Sequence, residues 1–299
     1  MHIRENKVAQ IVGVDVGGSH ITAAKVSNDQ IVQDSYFERK LDSGADAETI
    51  LATWLETIRK AIGDPEQYDT SIAVAMPGPF DYENGISLIK GMQKYESLYG
   101  LNIRSIFSEQ LNIRPENIQF FNDAKCFVQG EATSGAAKGF RKVIGITLGT
   151  GVGSAVCTDM HAVDVNRGSS PFLDGIVEEY LSTRWFIERY FQLTGNQIDN
   201  VQSLFNGNII TKAREQIFDE FTNNLSDFLQ DFVQAELPDA IVIGGGITNA
   251  ATEFLPRVET KLHASFPQLV VRKTKLWDNA SLIGASSALT ITQLNILSA

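Results

Sequence analysis

The stretch IVGVDVGGSH (Ile11–His20) returns later in the chain as VIGITLGTGV (Val143–Val152). Gly13 matches Gly145 and Gly17 matches Gly149, a constant offset of 132 residues. Each copy is a short apolar run that enters a glycine-rich turn and continues into small and β-branched residues, the pattern of two strands joined by a tight turn. Gly17 and Gly18, like Gly149 and Gly151, remove the Cβ atoms that would hold a bound group away from the backbone. Such a turn can aim several N–H groups at a phosphate. Two of these hairpins, one in each half, predict two halves clamping one polyphosphate.

Outward from the hairpins, strands and helices alternate. Ile31–Phe37 reads as a third strand, Ser71–Met76 as a buried strand stopped by Pro77-Gly78-Pro79, and Ile118–Phe121 as a short strand ending in Asn122-Asp123. Ile50, Leu51, Trp54, Leu55, Ile58 and Ile62 form a helical stripe within Ala47–Ile62. In the second half, Val177–Phe191 and Ile209–Leu237 read as helices, and Ala240–Ile243 as a buried strand entering Gly244-Gly245-Gly246. A last helix near Ala280–Leu289 is rich in small residues and is expected to pack closely. The alternation predicts an α/β fold with helices covering a mixed sheet in each half. The boundary is expected between Asp123 and Gly139.

The 299 residues suffice for two cores. A hydrophobic share of 43% with 20% charged residues describes a globular chain. The formal net charge of −11 argues against nucleic acid or an anionic membrane as partner. The polar start MHIRENKVAQ has no apolar signal core and no run reaches membrane-spanning length, so a cytoplasmic location is expected. Cys126 and Cys157 stand in apolar surroundings outside any CxxC pair and read as buried thiols.

Asp15 precedes the first glycine turn at the carboxyl end of its strand, where α/β sheets place ligands. Its counterpart in the second copy is Thr147, so the repeat is symmetric in backbone and asymmetric in charge. One carboxylate beside a phosphate cradle suits a Mg²⁺ that keeps most of its waters; the competing role is to brace the turn by hydrogen bonds. Asp123, between a buried strand and a helix start, is placed to accept a proton from a substrate hydroxyl during phosphoryl transfer. Asn122 can donate and accept, as recognition of a polyhydroxy compound requires. Both residues are also favoured helix N-caps. No GxxxxGK[ST] sequence occurs, which excludes a P-loop, and no GxGxxG opens a βαβ unit.

Taken together these segments resemble the ROK family of sugar kinases, within the actin-like ATPases. VGVDVGGSH resembles the first phosphate motif, and AMPGPFD (Ala75–Asp81) the proline-glycine sugar segment. Residues from Asn122 to Val156 match the catalytic and second phosphate motifs, IVIGGGIT the adenosine motif, and NASLIGASSAL (Asn279–Leu289) the closing helix. The resemblance implies a duplicated, two-lobed actin-like ATPase (ribonuclease H-like) α/β fold with a ligand cleft between lobes. Residues 1–124 with 286–299 would form the first lobe and 125–285 the second. It implies ATP and Mg²⁺ as cofactors, a sugar as partner, and a homodimer. Asp123 would be the general base, Asn122 and Glu178 (within GIVEEYLS) sugar ligands, and Gly78 would offer its backbone to the sugar. Gly17, Gly18 and Ser19 would face the phosphates from one lobe and Gly149, Thr150 and Gly151 from the other, while Gly244 and Gly245 border adenosine. For Glu178 the competing role is a solvated first-turn glutamate favoured by the helix dipole.

The departures bear on substrate. The family's zinc-binding histidine and cysteine cluster are missing, since His161 and Cys157 alone cannot close a four-ligand site; no zinc site is expected. Lys125 replaces an asparagine after the Asn-Asp pair, and KGMQKYESL (Lys90–Leu98) stands where the family carries an Asn-containing sugar loop. The reading that follows is an ATP-dependent kinase of a hexose hydroxyl, glucose first. The alternatives are an N-acylhexosamine kinase (N-acetylmannosamine or N-acetylglucosamine) and a non-catalytic sugar sensor. A DNA-binding sensor is disfavoured by the charge and by a first strand that starts near Gln10.

Overall fold

In the computed structural model, residues 8–64, 68–92, 94–207 and 209–298 are described. The polar start of the chain and Gln93 of the rewritten loop lie outside them. The chain divides into two compact units, Met1–Ser134 with Asp278–Ala299, and Gly135–Trp277.

The first unit opens with β1 (Val8–Val16) and β2 (His20–Ser27), the hairpin read from the sequence. β3 (Gln30–Ile31) and β4 (Phe37–Lys40) follow, then α1 (Ala47–Ile62) and β5 (Tyr68–Met76). A small hairpin of β6 (Phe80–Asp81) and β7 (Ile86–Ser87) leads to α2 (Ile103–Leu111), β8 (Ile118–Asn122) and α3 (Asp123–Thr133). The expected third strand over 31–37 is broken. Buried Ser35 accepts from Lys25 N–H (2.8 Å) and donates to Val32 O (2.6 Å), replacing ladder bonds with a short helical turn. Helix α1 matches its expected span because its signals are local: Asp46 caps Thr49 N–H at 2.9 Å, and Gly63 ends it at φ +71°.

The second unit contains β9 (Lys142–Leu148), β10 (Val152–Thr158), β11 (His161–Asp164), β12 (Pro171–Phe172) and β13 (Gly175–Ile176). After these come α4 (Val177–Leu181), α5 (Thr183–Thr194), α6 (Thr211–Glu236), β14 (Ala240–Gly244), α7 (Ala251–Ser265) and β15 (Val270–Lys273). The single helix expected over 177–191 is two helices. Thr183 N–H donates to Gly149 O at 2.7 Å, so the helix breaks at Ser182. The core of this unit is aromatic, with Phe186, Phe218, Phe221, Phe228, Phe232 and Phe254 buried together. Finally α8 (Asn279–Ser298) returns to the first unit.

The duplication is visible in the sheets. Their orders are β3-β2-β1-β5-β8 and β11-β10-β9-β14-β15, each three antiparallel strands continued by two parallel ones. In the first, Val16 pairs with Ile21; in the second, Leu148 pairs with Val152, so the second turn is one residue shorter.

The first unit ends later at α3, and resumes earlier at α8, than the expected lobes. The reason is the α3–α8 contact. A Cβ at Gly284 would stand 1.7 Å from Cys126 O, and one at Gly130 2.0 Å from Ala280 O. The two backbones touch, and small side chains (Ala73, Ala75, Ala285, Ala288) line the layer beneath. No described helix is long and apolar enough to cross a membrane.

Candidate active site

The first glycine turn joins β1 to β2. Gly17 N–H donates to His20 O (3.0 Å), and Ser19 O accepts from Leu41 N–H (3.0 Å). Gly18 and Ser19 are exposed. Asp15 lies two residues earlier on β1, opposite Thr22 on β2 and Ala75 on β5. Burial, and then the charges of Asp123 and Asp278, push its pKa up to about 8. Asp278, in the turn before α8, was not singled out in the sequence. No spacing ties it to residue 15, and only the return of α8 brings them together.

Asp123 is the first residue of α3, and Asn122 is its cap. Asn122 Oδ1 accepts from Lys125 N–H at 2.9 Å. Capping therefore falls to Asn122, and half-buried Asp123 accepts from Ala124 N–H (2.8 Å), its charge being one of the two that raise the pKa of Asp15. Asn122 Nδ2 faces Tyr82 Oη at 3.4 Å, and that phenol donates to Met76 O at 3.0 Å. The same Oη stands 3.4 Å from where a Cβ on Gly78 would be. Tyr82 thus joins the three segments 76–78, 82 and 122, a link that the sequence did not signal. Lys125, the departure from the family pattern, lies over the Phe121 ring at 5.0 Å.

In the second unit, Gly149 N–H donates to Gly151 O (3.0 Å), closing the second turn. Glu178 Oε2 accepts from Val152 N–H at 2.9 Å, and its Oε1 lies 3.7 Å from Arg184 Nη2. A Cβ on Gly151 would meet that carboxylate at 2.4 Å. Glu178 is a partly exposed first-turn residue of α4 whose carboxylate also braces the second glycine turn. Gly245, at φ +84°, lies so close to Leu148 that a Cβ would come within 2.4 Å of its carbonyl oxygen. Beyond Gly244 and Gly245 opens a cavity of about 660 Å³, bordered by Gly246, Asn249, Thr183, Asn200, Gln202 and Phe205. Its exposed ring and amides offer a stacking face and hydrogen-bonding partners.

Among the described residues, no three His, Cys, Asp or Glu side chains gather in an arrangement that could hold a metal ion directly. Cys157 is buried on β10 and His161 is exposed on β11. For Mg²⁺ the donor chemistry fits: carboxylate oxygens beside a glycine turn suit an ion retained through its own waters. The raised pKa of Asp15 gives a prediction. Protonation of Asp15 stabilises the folded ligand-free chain fully below the unfolded pKa near 3.8, and that contribution is lost as pH rises through about 8. Asp15→Asn is expected to melt above the parent at pH 8.5, the gap closing toward pH 4. A constant gap across that range in calorimetry would rule out the burial of this charge.

Residues 11–172 match the model of the ROK family. The chain is 26% identical to the N-acetylgalactosamine kinase of Shewanella sp. strain ANA-3, covering 92% of this chain and 94% of that protein. It is 23% identical to the glucokinase of Thermotoga maritima, over 93% of this chain and 96% of that one. Among solved structures, a ROK family glucokinase from Streptomyces griseus, in complex with glucose and AMPPNP, superposes with a TM-score of 0.71. That pair shares 20% identity over 92% of this chain and 97% of the other, a likeness of fold.

Proposed function

We propose that this chain, which belongs to the ROK family and is a sugar kinase, uses ATP to phosphorylate a hydroxyl of a hexose, glucose being the leading sugar. The observation that carries this reading is the start of α3. Asn122 makes the capping bond, and the charge of Asp123 acts on Asp15, two residues before the first glycine turn, within one compact unit.

In this reading the sugar hydroxyl gives its proton to Asp123 as its oxygen bonds to the γ-phosphorus and ADP departs. Asn122 Nδ2 and the backbone at Gly78 orient the sugar, with Tyr82 bracing both. Gly17, Gly18 and Ser19, and Gly149, Thr150 and Gly151, supply N–H groups to the phosphates. Gly244 and Gly245 border the adenosine, whose base would take the cavity beside Phe205. Mg²⁺, when bound, offsets phosphate charge, and Asp15 would hold it through water. The enzyme would work without zinc, in the cytoplasm, as a homodimer.

The second reading, an N-acylhexosamine kinase, is favoured by the likeness to the N-acetylgalactosamine kinase. ADP release across a panel of hexoses and N-acetylhexosamines separates the two. Turnover of glucose with a far higher kcat/KM than any acylated sugar supports the first, and the reverse order the second. Release of ADP with none of them overturns both.

The bond from Val152 N–H supports a phosphate-turn role for Glu178. Glu178→Ala is then expected to raise KM for ATP several-fold, on the order of a lost charge-assisted hydrogen bond, with sugar KM within about twofold. A steep rise in sugar KM alone would instead return Glu178 to the sugar, as the family resemblance implies.

A further inference from the structure

The rewritten segment Lys90–Leu98 sends one aromatic side chain into the interior. Tyr95 is fully buried and takes a left-handed backbone with φ of 55°. Its N–H donates to Ser43 O at 2.6 Å, and its ring packs edge-on against Trp54 with centroids 5.3 Å apart. So anchored, its phenol reaches the first glycine turn and donates to the carbonyl oxygen of Gly17. Burial, reinforced by the charge of Asp15, raises the pKa of the phenol, which stays protonated and remains a donor.

A trans peptide is planar, and its C=O and N–H point in opposite directions. A hydroxyl that holds Gly17 O inward therefore holds Gly18 N–H outward. Gly18 is exposed, and nothing lies within 4 Å of where its Cβ would stand. Two successive glycines have little steric preference between the two settings of the peptide that joins them. The bond from outside the turn decides which one is populated.

We infer that Tyr95 is a positioning residue for nucleotide binding: its hydroxyl locks the Gly17–Gly18 peptide so that Gly18 N–H faces a phosphate. The inference deepens the kinase reading and rests on it. A segment placed by resemblance at the sugar would thereby act on the phosphates. Pre-setting a donor in this way removes reorganisation at the moment of transfer, the condition under which oriented dipoles are most effective.

The test is Tyr95→Phe in the full chain, which keeps the ring against Trp54 and removes one hydroxyl. Loss of a single oriented hydrogen bond is expected to raise KM for ATP about tenfold, with sugar KM within about twofold. The rise in melting temperature given by Mg²⁺ with AMPPNP should shrink, while the rise given by sugar is kept and reports an intact fold. Equal ATP KM and an equal AMPPNP shift in variant and parent overturn the inference, as does a sugar KM that rises in step with that for ATP. If the parent phosphorylates no sugar, yet its AMPPNP shift shrinks in Tyr95→Phe, the kinase reading fails and the role of Tyr95 on the turn stands. A parent with no AMPPNP shift overturns both.

Discussion

Asp123→Asn is expected to lower kcat by roughly two to four powers of ten, the range for a positioned general base, while the protein stays folded and binds ATP. The substitution preserves size, and the amide oxygen can still accept from Ala124 N–H, though without the charge assistance of the carboxylate. It leaves the helix cap untouched, because Asn122 Oδ1 makes the bond to Lys125 N–H. What it removes is the proton acceptor. It also removes one of the two charges acting on Asp15, so the Asp15 pKa should fall and the ligand-free variant should gain stability near pH 8. Turnover within tenfold of the parent in a folded variant would sink the assignment of the base. A variant that is inactive and less stable at every pH would point to a structural role.

Gly284→Ala is the second large effect, and it lies far from any proposed chemistry in sequence. The added methyl would stand 1.7 Å from Cys126 O, with Gly130 N at 2.7 Å, so backbone must move and no rotamer can relieve it. Overpacking of this kind usually costs ~1–3 kcal/mol; with two helix backbones in contact the upper end or beyond is expected. That corresponds to a fall in Tm on the order of 5–10 °C. Because α3 carries Asn122 and Asp123 at its start and α8 follows Asp278, a shift between these helices also moves the carboxylates relative to Asp15. Activity should therefore fall more than the folded fraction does. A variant with parental Tm would mean that α3 and α8 are not packed backbone to backbone.

The glycine hairpins, their offset, α1 and the alternation of strands and helices were legible because their signals are local. A glycine pair, an Asp-x-x-Thr cap and a 3.6-residue stripe carry their meaning within a few residues. The small residues of the last helix announced close packing for the same reason. Where a bond from a distant segment intervened, local reading failed. The strand over 31–37 broke on the buried Ser35, and the helix over 177–191 broke where Thr183 turned its N–H to Gly149.

The site divides along the same line. Asp15 and Asp123 were found as carboxylates at a strand end and a helix start, positions that sequence patterns mark. Which of Asn122 and Asp123 would cap α3 was decided by the hydrogen bond to Lys125, since both residue types serve equally well in isolation. Glu178 carries two readings from the sequence, and neither signalled the bond that its carboxylate accepts from Val152 N–H, 26 residues away. Tyr95 meets Gly17 across 78 residues, and Asp278 meets Asp15 only because α8 returns to the first unit. A residue's type and its neighbours in the chain state what bonds it can make. Which bonds it does make depends on the packing of segments whose separation along the chain says nothing of their distance in space.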